Sequence, residues 1–174
     1  IHFIYDDLIN AKKLFKIKNI DALIHLASIT DAQNSVGKED FYKKNNLGCF
    51  QNVVKYCLKN KTKLIHISST SVYGDQGEIV TEESKFLKPQ SPYADIKLKE
   101  ERILKKKSKE IKYISLRFGT ISGVSPGMRF HTAVNKFCLN TILKEKIPVW
   151  KTALNQYRPY LSLSDSFKTF KFIL

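Results

Sequence analysis

Apolar residues in this chain fall into two spacings that alternate from one end to the other. Mainly apolar runs of strand length occupy residues 1–4, 22–26, 64–67 and 113–118. Apolar residues three and four positions apart predict amphipathic helices at residues 8–15, 53–58 and 94–104. Short apolar strands separated by helices favour parallel pairing with right-handed crossovers. We therefore predict an α/β fold built on a doubly wound parallel sheet.

The third predicted helix begins with a strong start signal. Ser91 is a favoured N-cap residue and Pro92 suits the first helical position. Tyr93 and Lys97 then lie on one face, four residues apart. An ammonium group near a phenol favours the phenolate, so this pair suits general acid/base chemistry. The same spacing also occurs on ordinary surface helices, and the interpretation needs a second signal.

A hydroxyl-rich segment supplies that second signal. The apolar strand at residues 64–67 continues directly into Ser68, Ser69, Thr70 and Ser71. Ligands of parallel sheets bind beyond the carboxyl ends of the strands, where Ser69 is expected. Ser28 and Thr120 follow two other predicted strands, so their hydroxyl groups are expected at the same edge.

Seven motifs follow one another in a recognisable order. They occupy residues 5–8, 21–28, 45–48, 68–74, 91–97, 116–123 and 158–165. In this order they resemble the extended short-chain dehydrogenase/reductases, specifically the NAD-dependent sugar-nucleotide epimerase/dehydratase family (UDP-glucose 4-epimerase-like). The resemblance implies a Rossmann-like sheet, and it covers nearly the whole chain.

The resemblance also implies roles for particular residues. Tyr93 would be the catalytic base, Ser69 would hydrogen-bond the reacting hydroxyl, and Lys97 would hold the nicotinamide ribose. Together with Tyr93 and Lys97, the implied cofactor-binding residues are Asp7, Leu8, Leu26, Ala27, Ser28, Asn45, Phe118 and Gly119. The implied substrate-binding residues are Ser69, Ser71, Thr120, Arg129, Asn135 and Arg158.

The implied partner is a nucleotide-sugar substrate, and the implied cofactor is NAD. NADP stays open, because the residue that discriminates the two follows a strand that this chain is expected to lack. The family's 4,6-dehydratases carry an Asp-Glu pair where this chain has Thr70 and Ser71, which favours an epimerase. A keto-sugar reductase or decarboxylase, or a non-catalytic nucleotide-binding relative, remains the alternative. Thr120 and Pro159 depart from the family pattern and put the substrate contacts in question.

One expected part of the family's fold is missing from the sequence. The seven glycines begin at Gly37, so no glycine-rich turn precedes the first helix, and the only methionine is Met128. We expect a chain truncated at both ends, with a partial cofactor-binding domain at 1–123. Residues 124–174 would begin the substrate-binding region, interleaved with the last Rossmann elements. We expect this piece alone to be inactive, and the full-length form to be a homodimer.

Composition narrows the remaining function classes. The net charge of +14 comes from lysines spread along the chain without interleaved aromatic residues, so no nucleic-acid partner is expected. No apolar run reaches membrane-spanning length and no signal peptide is evident, which favours a cytoplasmic protein without a membrane partner. Cys49, Cys57 and Cys138 lack metal-ligand spacing, so we expect buried thiols and no metal site.

Overall fold

The computed structural model describes residues 1–77, 79–130, 132–151 and 154–174. It divides into two compact units, Ile1–Arg117 and Phe118–Leu174. A three-stranded sheet of order β1-β2-β3 organises the first unit. Its strands are β1 (Ala22–His25), β2 (Lys63–Ser69) and β3 (Tyr113–Phe118). Each of these strands was predicted. Strand β1 ends at His25, one residue before the predicted end, and β2 extends beyond the predicted residues 64–67 at both ends.

Helices connect these strands as the alternating pattern predicts. They are α1 (Glu39–Tyr42), α2 (Gly48–Asn60) and α3 (Pro92–Lys106), with 3-10 turns at Leu14–Lys16, Gln33–Ser35 and Thr70–Val72. Strands β1 and β2 pair in parallel, with His25 opposite His66. The parallel pair with a helical crossover confirms the predicted α/β architecture.

The main core of the first unit lies around helix α2. Phe50, Val53, Tyr56 and Cys57 of this helix are almost completely buried, and Leu64 of β2 packs with them. The apolar face predicted at residues 53–58 is therefore the face that packs into the core. Helix α2 ends at Lys61, which adopts a left-handed conformation at φ 55° and donates its N–H to the carbonyl of Cys57.

The N-terminal prediction was wrong in its secondary structure. Residues 1–4 form no strand, and the helix predicted at residues 8–15 is reduced to the 3-10 turn Leu14–Lys16. Ala11 has a positive φ of 52°, which interrupts a helix, and Asp6 Oδ2 accepts N–H groups from Lys13 and Leu14 at 2.7 and 3.1 Å. Ala11 and Leu14 are nevertheless buried in the core, so the pattern identified the right buried side chains.

Among its described residues, the second unit contains a parallel pair of short strands and two α-helices. Strand β4 (Thr120–Ser122) pairs with β5 (Tyr160–Ser162), and the helices are α4 (Ala133–Ile142) and α5 (Leu163–Ile173). Phe118 and Phe170 meet edge to face at 5.8 Å. Within the described residues, no helix combines the length and the apolar character that crossing a lipid bilayer requires.

The cysteine prediction was correct for one residue of three. All three thiols are free, but only Cys57 is buried, where burial raises its pKa to about 12. Cys49 is half-buried and Cys138 is exposed. Among the described residues, no group of three or more His, Cys, Asp or Glu side chains is arranged to hold a metal ion.

Candidate active site

Tyr93 and Lys97 lie on one face of α3, as their spacing predicts. The Ser91 hydroxyl accepts the N–H of Ala94 at 3.2 Å, and Pro92 occupies the first turn, so the helix begins where the capping signal placed it. Both side chains are buried, with 8% of Tyr93 and 2% of Lys97 exposed. Lys97 Nζ lies 6.0 Å from the centre of the Tyr93 ring, close enough for the ammonium to act on the phenol electrostatically.

Tyr93 is held by contacts at its backbone and its ring. Its N–H donates to Ser35 Oγ at 3.3 Å. Its ring belongs to a buried cluster with Tyr42 and Ile96. Tyr42 is fixed in turn, because its hydroxyl donates to the carbonyl of Asp31 at 2.9 Å. These contacts give the phenol a defined direction, which general acid/base catalysis requires.

Ser69 is the last residue of β2 and the N-cap of the 3-10 turn Thr70–Val72. Its Oγ accepts the N–H of Ser71 at 3.2 Å and the hydroxyl hydrogen of Ser71 at 2.9 Å. Helix α3 packs against both β2 and this turn. The Ser69 hydroxyl keeps its own hydrogen as a donor, which is the group that would hydrogen-bond a substrate oxygen.

A buried ionic cluster extends from Lys97, which sequence reasoning missed. Lys97 Nζ donates to Glu100 Oε2 at 2.9 Å, and His66 Nε2 lies 2.9 Å from the same oxygen. His66 Nδ1 lies 2.9 Å from Ser115 Oγ on the neighbouring strand. The i,i+3 spacing of Lys97 and Glu100 was visible in the sequence, but nothing local indicated that Glu100 is fully buried.

A second network joins α3 to β2, the strand that ends at Ser69, and to β3. Glu101 accepts two hydrogen bonds from Arg117, at 3.0 and 2.7 Å, and one from the Ser68 hydroxyl. Burial raises the pKa of Glu101, but the hydrogen bonds from Arg117 and Ser68 outweigh it and hold this pKa below its usual value. The Arg117 guanidinium also lies over the ring of Tyr73, 4.8 Å from its centre. The network therefore fixes the strand that ends at Ser69.

The predicted cofactor segment after β1 is open to solvent at its first two positions. Leu26 is 64% exposed and Ala27 is exposed, while Ser28 is half-buried. The Ser28 hydroxyl oxygen is itself buried, and it has no hydrogen-bond partner within the part of the chain that the structure describes. A buried hydroxyl at the carboxyl end of a strand suits a ligand that can supply the missing partner.

Two other predicted cofactor positions form local structure. Asp7 accepts the N–H of Ile9 at 2.9 Å and the amide of Asn10 at 3.1 Å, which closes a turn in front of the half-buried Leu8. Asn45 lies in the π-helical segment Lys43–Leu47, and its amide donates to the carbonyl of Phe41 at 2.8 Å.

The neighbouring Asn46 was not predicted to have a function. It is buried, and its amide accepts the N–H of Ile29 and donates to the carbonyl of Ile29, both at 2.9 Å. This pair of bonds fixes the backbone that follows Ser28. A wide helical turn of this kind is often found at functional sites, and no signal in the local sequence predicts it.

The remaining predicted residues belong to the second unit. Gly119 approaches Pro159 closely, since a Cβ at this position would lie 2.6 Å from the Pro159 carbonyl oxygen. Asn135 is buried, and its amide donates to the carbonyl of Arg129 at 2.9 Å. The other predicted residues divide by exposure: the side chains of Thr120, Arg129 and Arg158 are exposed and that of Phe118 is half-buried. Arg158 donates to Gln156 within its own loop at 2.9 Å.

Known proteins with this architecture and these motifs are nucleotide-sugar enzymes with a Rossmann-like fold. The chain belongs to the NAD dependent epimerase/dehydratase family, whose model matches residues 2–174. It is 30% identical over 140 residues to the uncharacterized UDP-glucose epimerase YtcB of Bacillus subtilis, covering 77% of this chain and 44% of that protein. The chain thus spans about half the length, or less, of the curated relatives that it matches.

Two solved structures share the fold over almost the whole chain. One is UDP-N-acetylglucosamine 4-epimerase from Methanobrevibacter ruminantium in complex with UDP-N-acetylmuramic acid, with 27% identity and a TM-score of 0.84. The match covers 95% of this chain and 55% of the Methanobrevibacter ruminantium chain. The other is UDP-glucuronic acid 4-epimerase from Bacillus cereus in complex with UDP-glucuronic acid and NAD, with 29% identity and a TM-score of 0.82. The match covers 95% of this chain and 53% of the Bacillus cereus chain. The Rossmann-like fold is thereby confirmed, and the family is NAD-dependent.

The residues described in the first unit fit an NAD site. Lys97 donates one hydrogen bond to Glu100, and an ammonium group has three donors. The buried Ser28 hydroxyl is the second group suited to a polar ligand. Lys97 and Ser28 thus provide donors of the kind that hydroxyl and phosphate oxygens accept.

Proposed function

We propose that the protein interconverts two epimers of a nucleotide-activated sugar through a transient keto-sugar, with NAD as the hydride carrier. The observation that supports this most strongly is the buried Tyr93–Lys97 pair, with 6.0 Å between the ammonium and the ring centre. The helix that carries this pair packs against the strand and turn that carry Ser69. Membership of an NAD-dependent family supports the choice of cofactor.

Each of the three side chains has one role in the transfer of the proton. Tyr93, as phenolate, takes the proton from a sugar hydroxyl and later returns it. Lys97 stabilises the phenolate electrostatically and donates to the ribose of the cofactor. Ser69 donates a hydrogen bond to the same sugar oxygen and orients it toward Tyr93. NAD, when bound, accepts the hydride from the sugar carbon and returns it to that carbon.

Epimerisation requires that the hydride return to the opposite face of the sugar. The keto-sugar must therefore turn within its site between the two hydride transfers. We propose that Ser71, Thr120, Arg129, Asn135 and Arg158 contribute to binding the nucleotide sugar, on the strength of the family resemblance of their motifs. Their hydroxyl, amide and guanidinium groups are donors suited to phosphate and sugar oxygens.

Dehydration is disfavoured by the residues that follow Ser69. Thr70 and Ser71 begin the 3-10 turn, and the Ser71 hydroxyl is already a donor to Ser69 at 2.9 Å. Removal of water from a sugar requires a group that protonates the leaving hydroxyl and one that removes a proton from carbon. Neither alcohol side chain exchanges a proton readily near neutral pH, so this turn is better suited to epimerisation.

The proposal is tested with the complete gene product that contains these residues. It is incubated with NAD and, separately, with UDP-glucose, UDP-glucuronic acid and UDP-N-acetylglucosamine, and the products are identified by NMR. An epimer with no net change in NAD is the expected product. A 4-keto-6-deoxy sugar or a decarboxylated sugar would instead identify a dehydratase or a decarboxylase.

The catalytic assignment is tested by Tyr93→Phe in the same protein. Turnover is expected to fall by about 100- to 10,000-fold, because the ring and its packing remain and only the proton acceptor is lost. NAD affinity, measured by calorimetry, is expected to change little. Tyr157→Phe is the matched control, since Tyr157 is fully exposed. Tyr93 is not the base if Tyr93→Phe retains more than about half of wild-type turnover.

The proposal extends to the organisation of the complete protein. We assign residues 1–123 to cofactor binding and residues 124–174 to the start of the substrate-binding region, and we propose a cytoplasmic homodimer. The motif order of the family supports each of these assignments. Light scattering of the complete gene product tests the dimer, and a monomer at micromolar concentration would contradict it.

A further inference from the structure

The ionic cluster of Lys97, Glu100 and His66 is almost completely inaccessible to solvent. Lys97, Glu100 and His66 have 3%, 0% and 0% of their side chains exposed. Lys97 Nζ and His66 Nε2 both approach a single carboxylate oxygen, Glu100 Oε2, at 2.9 Å. Burying an ammonium or a carboxylate costs several kcal/mol unless the charge is paired and hydrogen-bonded. The position of each charge in this cluster therefore depends on the others.

The hydrogen bonds of the cluster form a consistent chain with a neutral His66. The Ser115 hydroxyl then donates to His66 Nδ1, His66 Nε2–H donates to Glu100, and Lys97 donates to the same carboxylate. One cation and one anion remain, so the net charge of the buried cluster is zero. His66 of β2 contacts the Glu100 carboxylate directly, and Ser115 of β3 orients the His66 ring. The second oxygen, Glu100 Oε1, is buried without a partner among the described residues, so the position of the carboxylate depends on Oε2.

We propose that Glu100 is the positioning residue of Lys97, and that its carboxylate fixes the ammonium on the helix face that carries Tyr93. This inference rests on the proposed function for its catalytic consequence. One N–H of Lys97 donates to Glu100, which leaves two N–H donors for the cofactor. The positive charge of the same ammonium acts on Tyr93 electrostatically. His66 contacts the same Glu100 oxygen, and Ser115 holds His66 through its other ring nitrogen. Glu100 touches neither substrate nor cofactor, and it acts only through Lys97.

An ion pair just beyond the C-terminus of α3 provides the control. Lys107 and Glu110 also stand three residues apart, with 3.5 Å between Nζ and Oε2. Their side chains are 38% and 57% exposed, so solvent screens the pair. The two pairs share their chemistry and spacing and differ in burial.

The first test is a double-mutant cycle on the stability of the complete gene product. Lys97→Met, Glu100→Gln and the double variant are compared by their urea denaturation midpoints. Glu100→Gln is expected to lower the midpoint most, because it leaves an ammonium buried without its carboxylate, and the double variant is expected to recover part of the loss. Lys107→Met and Glu110→Gln are expected to be additive. If the Lys97–Glu100 cycle is additive too, the inference is wrong.

The cycle stays informative if Glu100→Gln fails to fold. Folding of the double variant together with failure of Glu100→Gln is itself strong non-additivity and supports the inference. Equal failure of both variants, with Lys97→Met unaffected, would mean that Glu100 is needed for packing and not for Lys97. That outcome would overturn the inference.

The second test measures the catalytic consequence. Glu100→Gln is expected to lower kcat by about 10- to 100-fold, the value of one hydrogen bond to a charged group, while KM for the sugar nucleotide stays within about threefold. Glu100→Asp keeps the charge and is expected to recover part of kcat, and Glu110→Gln is expected to match wild type. A kcat within about twofold of wild type for Glu100→Gln would overturn the positioning role.

The two tests separate this inference from the proposed function. If the wild-type protein turns over no nucleotide sugar, the proposed function fails, and the stability cycle alone decides whether Glu100 positions Lys97. If wild type is active and the cycle is additive, the proposed function stands and the inference fails.

Discussion

His25 and His66 are opposite each other on β1 and β2, and their environments differ. The Phe50 ring lies 5.9 Å from the His25 ring and 5.1 Å from the His66 ring. His66 has a partner at each ring nitrogen, whereas His25 Nε2 is buried without a partner among the residues described. Burial lowers the pKa of His25 to about 4; the nearby charge of Glu100 raises this pKa, and that of Lys97 lowers it. His25 is therefore neutral in the folded protein at neutral pH.

This pKa predicts a loss of stability in mild acid. Between its unfolded pKa of 6.5 and its folded pKa of about 4, the unfolded His25 binds a proton and the folded one does not. The contribution of His25 to the free energy of unfolding should therefore be present in full above pH 6.5. As the pH falls from 6.5 toward about 4, this contribution should decrease by about 1.4 kcal/mol per pH unit. Denaturant unfolding at about pH 7.5 and about pH 5.5 measures this loss.

The control for this prediction is the exposed His2. We expect His25→Gln to reduce the loss between the two pH values, and His2→Gln to leave it as in wild type. An equal loss in His25→Gln and wild type would show that other groups cause the acid sensitivity.

At the scale of elements, the turn after β2 and the start of α3 determine where Ser69 and Tyr93 lie. Gly74 ends this turn with a positive φ of 70°, and the Lys88 N–H donates to the Tyr73 carbonyl at 3.2 Å just before it. A Cβ at Gly74 would lie 1.9 Å from the Lys88 carbonyl oxygen. The segment that leads into α3 thus passes directly over the turn that follows Ser69.

We predict that Gly74→Ala destabilises the protein more than Gly77→Ala does. Gly77 has nearly the same φ, 67°, but a Cβ there would meet nothing within 4 Å. Gly77→Ala should therefore cost only the left-handed strain, about 1–2 kcal/mol, whereas Gly74→Ala adds a clash with backbone. Urea denaturation of both variants measures the difference. Equal losses would mean that the segment at Lys88 can move without cost.

At the scale of the whole molecule, the dominant property is the net charge of +14. The excess is carried by lysines distributed along the chain, including the exposed Lys105 and Lys106 near the end of α3. A positive field of this kind raises the local concentration of anionic ligands such as nucleotide sugars. Specific recognition still depends on the site, because the field acts at long range and lacks geometry.

This field predicts a salt-dependent association rate. Raising the ionic strength from about 0.01 M to about 0.1 M shortens the Debye length from about 30 to about 10 Å, so the association rate constant of UDP should fall. Stopped-flow mixing measures this fall. The association rate constant of uncharged uridine should change little with ionic strength. Replacing Lys105 and Lys106 by Gln should reduce the salt dependence for UDP. Identical salt dependence for UDP and uridine would contradict steering by charge.

The sequence by itself determined the elements that short-range rules encode. Ser91 and Pro92 placed the start of α3, so Tyr93 and Lys97 were correctly predicted to share a face. The apolar run into Ser69 correctly predicted β2. Capping, turn chemistry and apolar periodicity act within a few residues, and for this reason a single sequence reveals them.

Only the tertiary structure decided which partners the buried charges have. Glu100 and Glu101 are adjacent and both lie within one helical turn of Lys97, yet Glu100 binds Lys97 and His66 while Glu101 binds Arg117. His66 and Arg117 come from β2 and β3, far away in the chain. The N-terminal residues around Ala11 failed as a helix for the same reason, since Asp6 and the core fixed their backbone instead. Such choices depend on which distant side chains reach one place, and no local pattern contains that information.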